Sequence, residues 1–205
     1  MSSHPQDDLA CRRSVVAEFL GTAMLLATVV GSGVMGERLA GGNVAIALLA
    51  NALATGAVLV ALIATFGSAS GAHFNPLVTL AEWALGRCDS RRALLFLPAQ
   101  VLGALAGVLA AHFMFELPLW QASGHVRNGV HQWWSEVVAS FGLLTVILQV
   151  ARSRPDFVGT AVGCYITGAY WFTASTSFAN PAVTIARALP TPSRAFVRSM
   201  RPGSS

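Results

Sequence analysis

The chain has 205 residues, of which 54% are apolar and only 11% are Asp, Glu, Lys or Arg, whereas soluble domains carry roughly 25% charged residues. Nine acidic and thirteen basic residues cannot cover a soluble surface of this size, and the net charge of +4 is scattered between apolar segments. Composition therefore argues against a soluble enzyme, a disordered chain and a nucleic-acid-binding protein. Three widely spaced cysteines form neither a metal-binding pattern nor a disulfide framework, so we expect no metal or cofactor.

Five apolar segments are long enough to cross a membrane, which takes about 20 residues. They are residues 15–35, 44–66, 93–115, 135–151 and 157–174. Small residues, mostly glycine, recur inside them, and such residues let membrane helices pack closely. The sequence therefore predicts an all-α membrane protein with five spanning helices.

Two shorter segments, 76–85 and 181–189, each begin with the proline of an Asn-Pro dipeptide. Asn favours the N-cap of a helix and Pro its first turn, so each segment is predicted to be a helix that begins abruptly. At roughly 1.5 Å per residue, such a helix reaches half way across a bilayer. The preceding residues, 67–74 and 174–179, predict loops. Non-helical backbone at membrane depth is tolerated only inside the protein or beside a wet cavity, so these segments indicate a permeation site at mid-membrane.

The two halves of the chain resemble each other. Residues 75–81 and 180–186 are identical at five of seven positions, and Glu18 and Glu136 open the two halves, each with a hydroxyl residue four positions later. Each half thus contains a Glu-bearing span, a second span, a loop and an Asn-Pro half-helix, and the first half adds a third span. An odd number of spans per copy places the copies in opposite orientations.

Arginines precede the first span, follow the first half-helix and separate the fourth span from the fifth. Cytoplasmic loops carry an excess of such residues, so we expect these three regions and the N-terminus in the cytoplasm. The predicted order is a cytoplasmic tail, a first repeat, an extracellular connection, an incomplete second repeat and a polar C-terminal tail. These are residues 1–14, 15–115, 116–134, 135–189 and 190–205.

Residues 70–76, Ser-Gly-Ala-His-Phe-Asn-Pro, together with the Asn-Pro-Ala of residues 180–182, resemble the aquaporin, or major intrinsic protein, family. Each Asn-Pro dipeptide leads into Val-Thr-x-Ala, and the resemblance covers residues 14–189. It implies an aquaporin-like inverted repeat whose half-helices enter from opposite faces and meet. It also implies a passive multi-pass channel rather than an enzyme, in the inner (plasma) membrane, assembled as a homotetramer with one pore per subunit.

The predicted pore motif lies at the starts of the two half-helices. It comprises Asn75, Pro76, Leu77, Asn180, Pro181 and Ala182, with Leu77 where the family has Ala. Helix N-termini carry partial positive charge, so two of them facing one pore repel cations, including hydronium. Each Asn can cap its helix through oxygen and present its NH₂ group to the lumen. The resemblance further implies that Glu18, Glu136 and His73 support the loops, in preference to a proton-relay role for the two acids.

The family's selectivity-filter positions are carried over by their offset from the motifs. They fall at Thr55, Gly168, Ser177 and Val183, and one register slip would move Gly168. Val183 stands where water-selective members have Arg, and the set contains no Arg, His or large aromatic residue. We therefore expect a filter wider and less polar than that of a water channel. The resemblance to arsenic-resistance-associated bacterial members implies water and small neutral solutes, of the glycerol or metalloid (arsenite) type.

The C-terminus departs from the family, whose members have a sixth span. Residues 190–205 contain three prolines and three arginines, which oppose a membrane crossing. A truncated, non-conducting remnant is therefore one alternative to the channel. An ion-coupled secondary transporter is another, for which Glu18 and Glu136 are the ionisable candidates at the midplane.

Overall fold

The computed structural model describes residues 5–117, 129–174 and 179–183, and the described residues fold into α-helices joined by short loops. The helices are α1 (Pro5–Leu39), α2 (Val44–Ser70), α3 (Pro76–Ala84), α4 (Ser90–Met114), α5 (Val130–Ser153) and α6 (Val158–Phe172). Residues 181–183 are helical as well. Ser177, the second half-helix beyond Val183 and the C-terminal tail lie outside the described residues.

Four of the described helices, α1, α2, α4 and α5, are long and apolar enough to cross a membrane. They correspond to the first four predicted spans. The fifth predicted span, 157–174, forms the shorter helix α6, whose 15 residues extend over about 22 Å. A single 3-10 turn, Pro155–Phe157, precedes it, because the proline ends α5 and cannot continue it.

Two helices extend further than the sequence predicted. Residues 5–14, expected as a tail, already belong to α1. Ser14 Oγ is fully inside the protein and lies 2.7 Å from the Ala69 carbonyl oxygen, to which it donates, so this part of α1 packs on the end of α2. Helix α2 itself continues through Ser70, and Gly71, with φ of 91°, ends it in the left-handed conformation. The predicted loop 67–74 is therefore helical in its first half.

Helices α1 and α4 approach each other at glycines. A Cβ atom at Gly103 or Gly107 would overlap the carbonyl oxygen of Phe19 or Ala23, respectively. Helices α2 and α6 meet in the same way, because a Cβ atom at Gly56 would lie 2.7 Å from a backbone oxygen of α6. Only glycine permits backbones to come this close, which confirms the predicted packing role at these three glycines. It does not hold at Gly168, where no described atom would lie within 4 Å of a Cβ atom.

Candidate functional site

The two Asn-Pro motifs cap their helices in the same manner. Asn75 has an extended backbone, and its Oδ1 atom accepts a hydrogen bond from Leu77 N at 2.9 Å. Asn180 Oδ1 accepts from Ala182 N at 3.0 Å. A proline fills the first helical position of each motif, where an N–H group would have no partner in the helix. The side chain of Leu77 is half-buried, whereas Ala182 is completely buried.

Two reciprocal hydrogen bonds join the motifs. Asn75 Nδ2 donates to the Ala179 carbonyl oxygen at 2.7 Å, and Asn180 Nδ2 donates to the Phe74 carbonyl oxygen at 2.8 Å. Phe74 and Ala179 precede the two asparagines and share the left-handed conformation, with φ of 48° and 42°. That conformation is uncommon for residues with a side chain, and it recurs here at equivalent positions. The structure therefore brings both helix N-termini to one place, and each NH₂ group uses one of its two hydrogens to hold them there.

The carboxylate of Glu18 anchors the loop before the first motif. It is completely buried, and its Oε1 atom accepts hydrogen bonds from Ser70 Oγ at 2.6 Å and His73 N at 3.0 Å. Its Oε2 atom accepts from Phe74 N at 2.7 Å and Gln100 Nε2 at 2.8 Å. Four donors thus fill the four acceptor positions of one carboxylate, and two of them are backbone groups of the loop.

Glu136 repeats this arrangement in the second half. Its Oε2 atom accepts a hydrogen bond from Ala179 N at 2.8 Å. Ala179 directly precedes the second asparagine, just as Phe74, which donates to Glu18, directly precedes the first. His73 lies within the first loop, where its Nδ1 atom is 3.1 Å from Thr79 Oγ1 and its ring meets Phe96 edge-on at 5.6 Å. The structure thus places all three residues against the loops that they were expected to support.

Gln100 is a part of this network that the sequence analysis missed. It is completely buried in α4, and its Nε2 atom donates to both Glu18 Oε2 and Thr79 Oγ1, each at 2.8 Å. A polar residue in the middle of an apolar span was the available signal, because such residues are costly in a membrane and usually have a partner.

A continuous cavity of about 1,020 Å³ runs beside the two motifs. Both motif asparagines line it, and so do two predicted filter residues, Thr55 and Val183, which are 3% and 5% exposed. Arg87 and Asp156, from loops that we predicted to be cytoplasmic, line it as well. The cavity therefore connects the meeting point of the helix N-termini with a charged mouth.

The predicted filter position on α6 needs correction. Gly168 is exposed, no heavy atom of the described residues would lie within 4 Å of a Cβ atom there, and it does not line the cavity. Helix α6 instead places Val162, Ile166 and Tyr170 along the cavity wall. Residues two apart on a helix point about 200° apart, so an offset wrong by two residues selects the opposite face. A large aromatic residue therefore lies at the cavity wall, contrary to the expectation from the sequence.

Comparison with known proteins decides the family. The family model for the major intrinsic protein matches residues 6–188. The aquaglyceroporin AqpS of Rhizobium meliloti (strain 1021) is 53% identical over 175 residues, which are 85% of this chain and 75% of AqpS. The chain belongs to the major intrinsic protein family. Aquaporin NIP3-1 of Oryza sativa subsp. japonica is 29% identical over 172 residues, and the chain spans only 53% of that protein.

A solved structure shows the same fold. The X-ray structure of the aquaglyceroporin from Plasmodium falciparum matches with a TM-score of 0.73 at 21% identity, over 86% of this chain and 79% of that one. The predicted all-α, aquaporin-like fold is thereby confirmed. As a family member with apolar helices of spanning length, the chain is an integral multi-pass membrane protein and a passive channel for water and small solutes, not an enzyme.

Proposed function

We propose that this channel carries uncharged solutes larger than water, of the glycerol or metalloid-hydroxide (arsenite) type. The observation that supports this is the position of Val183. This residue lines the cavity. It follows Asn180 by three residues, the sequence position at which water-selective members have Arg. A guanidinium group at that point would narrow the path and donate fixed hydrogen bonds. The valine side chain does neither, and the 53% identical relative is itself named an aquaglyceroporin.

The charge of the permitted solute follows from the two helix N-termini. Each carries a partial charge of about +0.5 from N–H groups that lack a helical partner. Asn75 and Asn180 hold these two ends together beside one cavity. A cation that passes them meets both partial charges without its hydration shell, whereas a neutral solute can accept hydrogen bonds there. The site therefore favours neutral molecules with hydroxyl groups.

We further propose that the channel works as a homotetramer in the inner (plasma) membrane, with its N-terminus in the cytoplasm. Large apolar side chains cover the outer faces of its helices, and examples are Leu20, Leu53, Leu102 and Phe141, which are 43% to 72% exposed. Such faces suit contact with lipid and with neighbouring subunits. The orientation is supported by the arginines at positions 12, 13, 91, 92, 152 and 154.

The test is stopped-flow light scattering on proteoliposomes that contain the wild type, Val183→Arg or the uncharged control Val183→Met. We expect the wild type to conduct glycerol and arsenite, and Val183→Arg to suppress both more strongly than water. Val183→Met fills similar length without charge, so it should retain more glycerol flux than Val183→Arg. Equal loss of all solutes in Val183→Arg would contradict the filter.

The same vesicles separate the alternatives. Swelling equal to that of empty vesicles, at equal content of folded wild-type protein, would favour a non-conducting remnant. Solute flux that requires a proton or sodium gradient would favour a coupled transporter. Flux that depends only on the solute gradient supports the channel.

A further inference from the structure

The first turns of α1 carry two adjacent arginines. Arg12 and Arg13 are exposed, and neither forms an ion pair with any described residue. The next residue, Ser14, fixes this part of α1 to the rest of the protein. Its Oγ atom lies 2.7 Å from the Ala69 carbonyl oxygen and accepts a hydrogen bond from Arg92 Nη2 at 2.6 Å. The two guanidinium groups therefore extend from an anchored helix and not from the tail that the sequence predicted.

The start of α4 lies against this part of α1. Arg91 Nη2 and Asp8 Oδ1 form an ion pair at 2.8 Å. Further along, Gly103 of α4 meets Phe19 of α1, so the two helices run side by side in the same direction. Arg12 follows Asp8 by four residues and precedes Phe19 by seven, which places it on the side of α1 that faces α4. Arg12 and Arg91 therefore flank the α1–α4 interface at the end where both helices begin.

The acids at this end do not neutralise the two adjacent arginines. Asp8 is paired with Arg91. Asp89 caps α4, because its Oδ1 atom accepts a hydrogen bond from Arg92 N at 3.0 Å. Asp7 lies on another side of α1, about 120° or more around the helix axis from both arginines. Positive charge is therefore left on the side of α1 that meets α4.

Apolar side chains follow the arginines along both helices. Val16 on α1, which is 54% exposed, lies one turn beyond Arg12. Leu94 on α4, which is 70% exposed, lies one turn beyond Arg91. Unneutralised guanidinium groups at the start of two apolar membrane helices lie at headgroup depth, and exposed apolar side chains beyond them lie at acyl-chain depth. The surface thus matches both parts of an anionic lipid.

We propose that an anionic phospholipid binds at this end of the α1–α4 interface, with its phosphate against Arg12 and Arg13, beside Arg91, and its acyl chains over Val16 and Leu94. Guanidinium groups donate parallel hydrogen bonds to phosphate oxygens. A zwitterionic lipid brings an ammonium group that the arginines repel, and a free phosphate ion leaves the apolar side chains uncovered. The site concerns lipid alone, so it goes beyond the proposed solute and does not depend on it.

Native mass spectrometry of the delipidated full chain in detergent tests the site, because it counts bound lipids and subunits together. The probes are phosphatidylglycerol and phosphatidylcholine with identical acyl chains. The wild type should bind phosphatidylglycerol more tightly than phosphatidylcholine. Arg12→Gln combined with Arg13→Gln should weaken the binding of phosphatidylglycerol about fivefold for each arginine lost and leave that of phosphatidylcholine unchanged. Unchanged binding of phosphatidylglycerol in this double variant would overturn the proposal.

Arg152→Gln is the matched control for the loss of a positive charge. Arg152 is exposed in the last turn of α5, was predicted to lie at the same membrane face, and forms no ion pair with a described residue, but it lies away from the α1–α4 interface. Its replacement should leave the binding of phosphatidylglycerol unchanged. A loss as large as one α1 arginine produces would show that binding follows the total charge of the face, which would overturn the site.

The apolar half of the site and the other occupants have their own tests. Leu94→Gln should weaken the binding of phosphatidylglycerol about three- to tenfold, and an unchanged affinity would contradict the path of the acyl chains. Inorganic phosphate should not displace the lipid at equal concentration, because displacement would mean a site for free anions. A double variant that changes the number of subunits but not the number of bound lipids would show a contact between copies of the chain and would overturn the proposal.

Thermal aggregation in detergent gives a second measurement on the same proteins. A ligand that binds only the folded state stabilises it, so added phosphatidylglycerol should raise the midpoint of the wild type more than that of the double variant. Without lipid the two midpoints should agree, because both arginines are exposed and lack acidic partners among the described residues. An equal rise in both proteins would count against Arg12 and Arg13 as the phosphate ligands.

Discussion

Replacing Glu18 with glutamine tests the anchor of the first loop, because it exchanges one carboxylate oxygen for NH₂ and preserves the shape. Four groups donate hydrogen bonds to the Glu18 carboxylate. Whichever way the glutamine amide turns, its NH₂ group faces two of these donors. Ser70 and Gln100 can rotate their side chains to accept, but the backbone N–H groups of His73 and Phe74 cannot. At least one buried N–H group therefore loses its partner in either orientation.

The expected cost follows from this count. One buried, unpaired N–H group costs about 1–3 kcal/mol, and each remaining bond weakens by about 1 kcal/mol when the acceptor is no longer charged. Glu18→Gln should therefore reduce the free energy of unfolding by about 3–5 kcal/mol. The assay is thermal aggregation in detergent, in which a chain of this size loses roughly 2–4 °C per kcal/mol. A fall of the midpoint by about 10 °C is expected.

Glu82→Gln is the matched control for the loss of one negative charge. Glu82 pairs with Arg87 at 3.5 Å, and the two side chains are 16% and 37% exposed. A pair of this kind contributes about 0–1 kcal/mol, so the midpoint should move little. Equal midpoints for Glu18→Gln and the wild type would refute the hydrogen-bond count. An equal fall in Glu82→Gln would show that charge, rather than the loop anchor, is responsible.

Two further predictions follow from glycine packing and from cysteine ionisation. Gly107→Ala should reduce the free energy of unfolding by about 1–3 kcal/mol and so lower the aggregation midpoint, because its Cβ atom would overlap the Ala23 carbonyl oxygen. Gly67→Ala should leave the midpoint unchanged, because no described atom would lie within 4 Å of a Cβ atom there. Equal midpoints for these two variants would contradict the packing argument. Burial, and then the neighbouring Asp89, raise the pKa of the Cys88 thiol, so less thiolate is present at a given pH. The rate of alkylation by iodoacetamide is measured against pH in a chain with Cys88 as its single cysteine. This rate should reach half its maximum at a higher pH than for free cysteine. A half-maximal pH equal to or below that of free cysteine would count against this burial.

The local features of this protein could be predicted from its sequence. Membrane insertion depends on the apolar length of a segment, and capping depends on residues next to one another, so both leave a readable pattern. The first half-helix, Pro76–Ala84, begins at the predicted residue and ends one residue before the predicted end. The resemblance to the family likewise implied that the two half-helices would meet, and hydrogen bonds from Asn75 and Asn180 join them.

What only the tertiary structure decided is how helices far apart in sequence turn toward one another. The hydrogen bond from Asn180 to Phe74, the bond between Gln100 and Glu18, and the exchange of Gly168 for Tyr170 all depend on such rotations. The sequence between α6 and the second motif does not reveal how α6 is rotated about its axis. Close packing at glycines of facing helices sets that rotation, and a difference of two residues moves a side chain from the cavity wall to the opposite face of its helix.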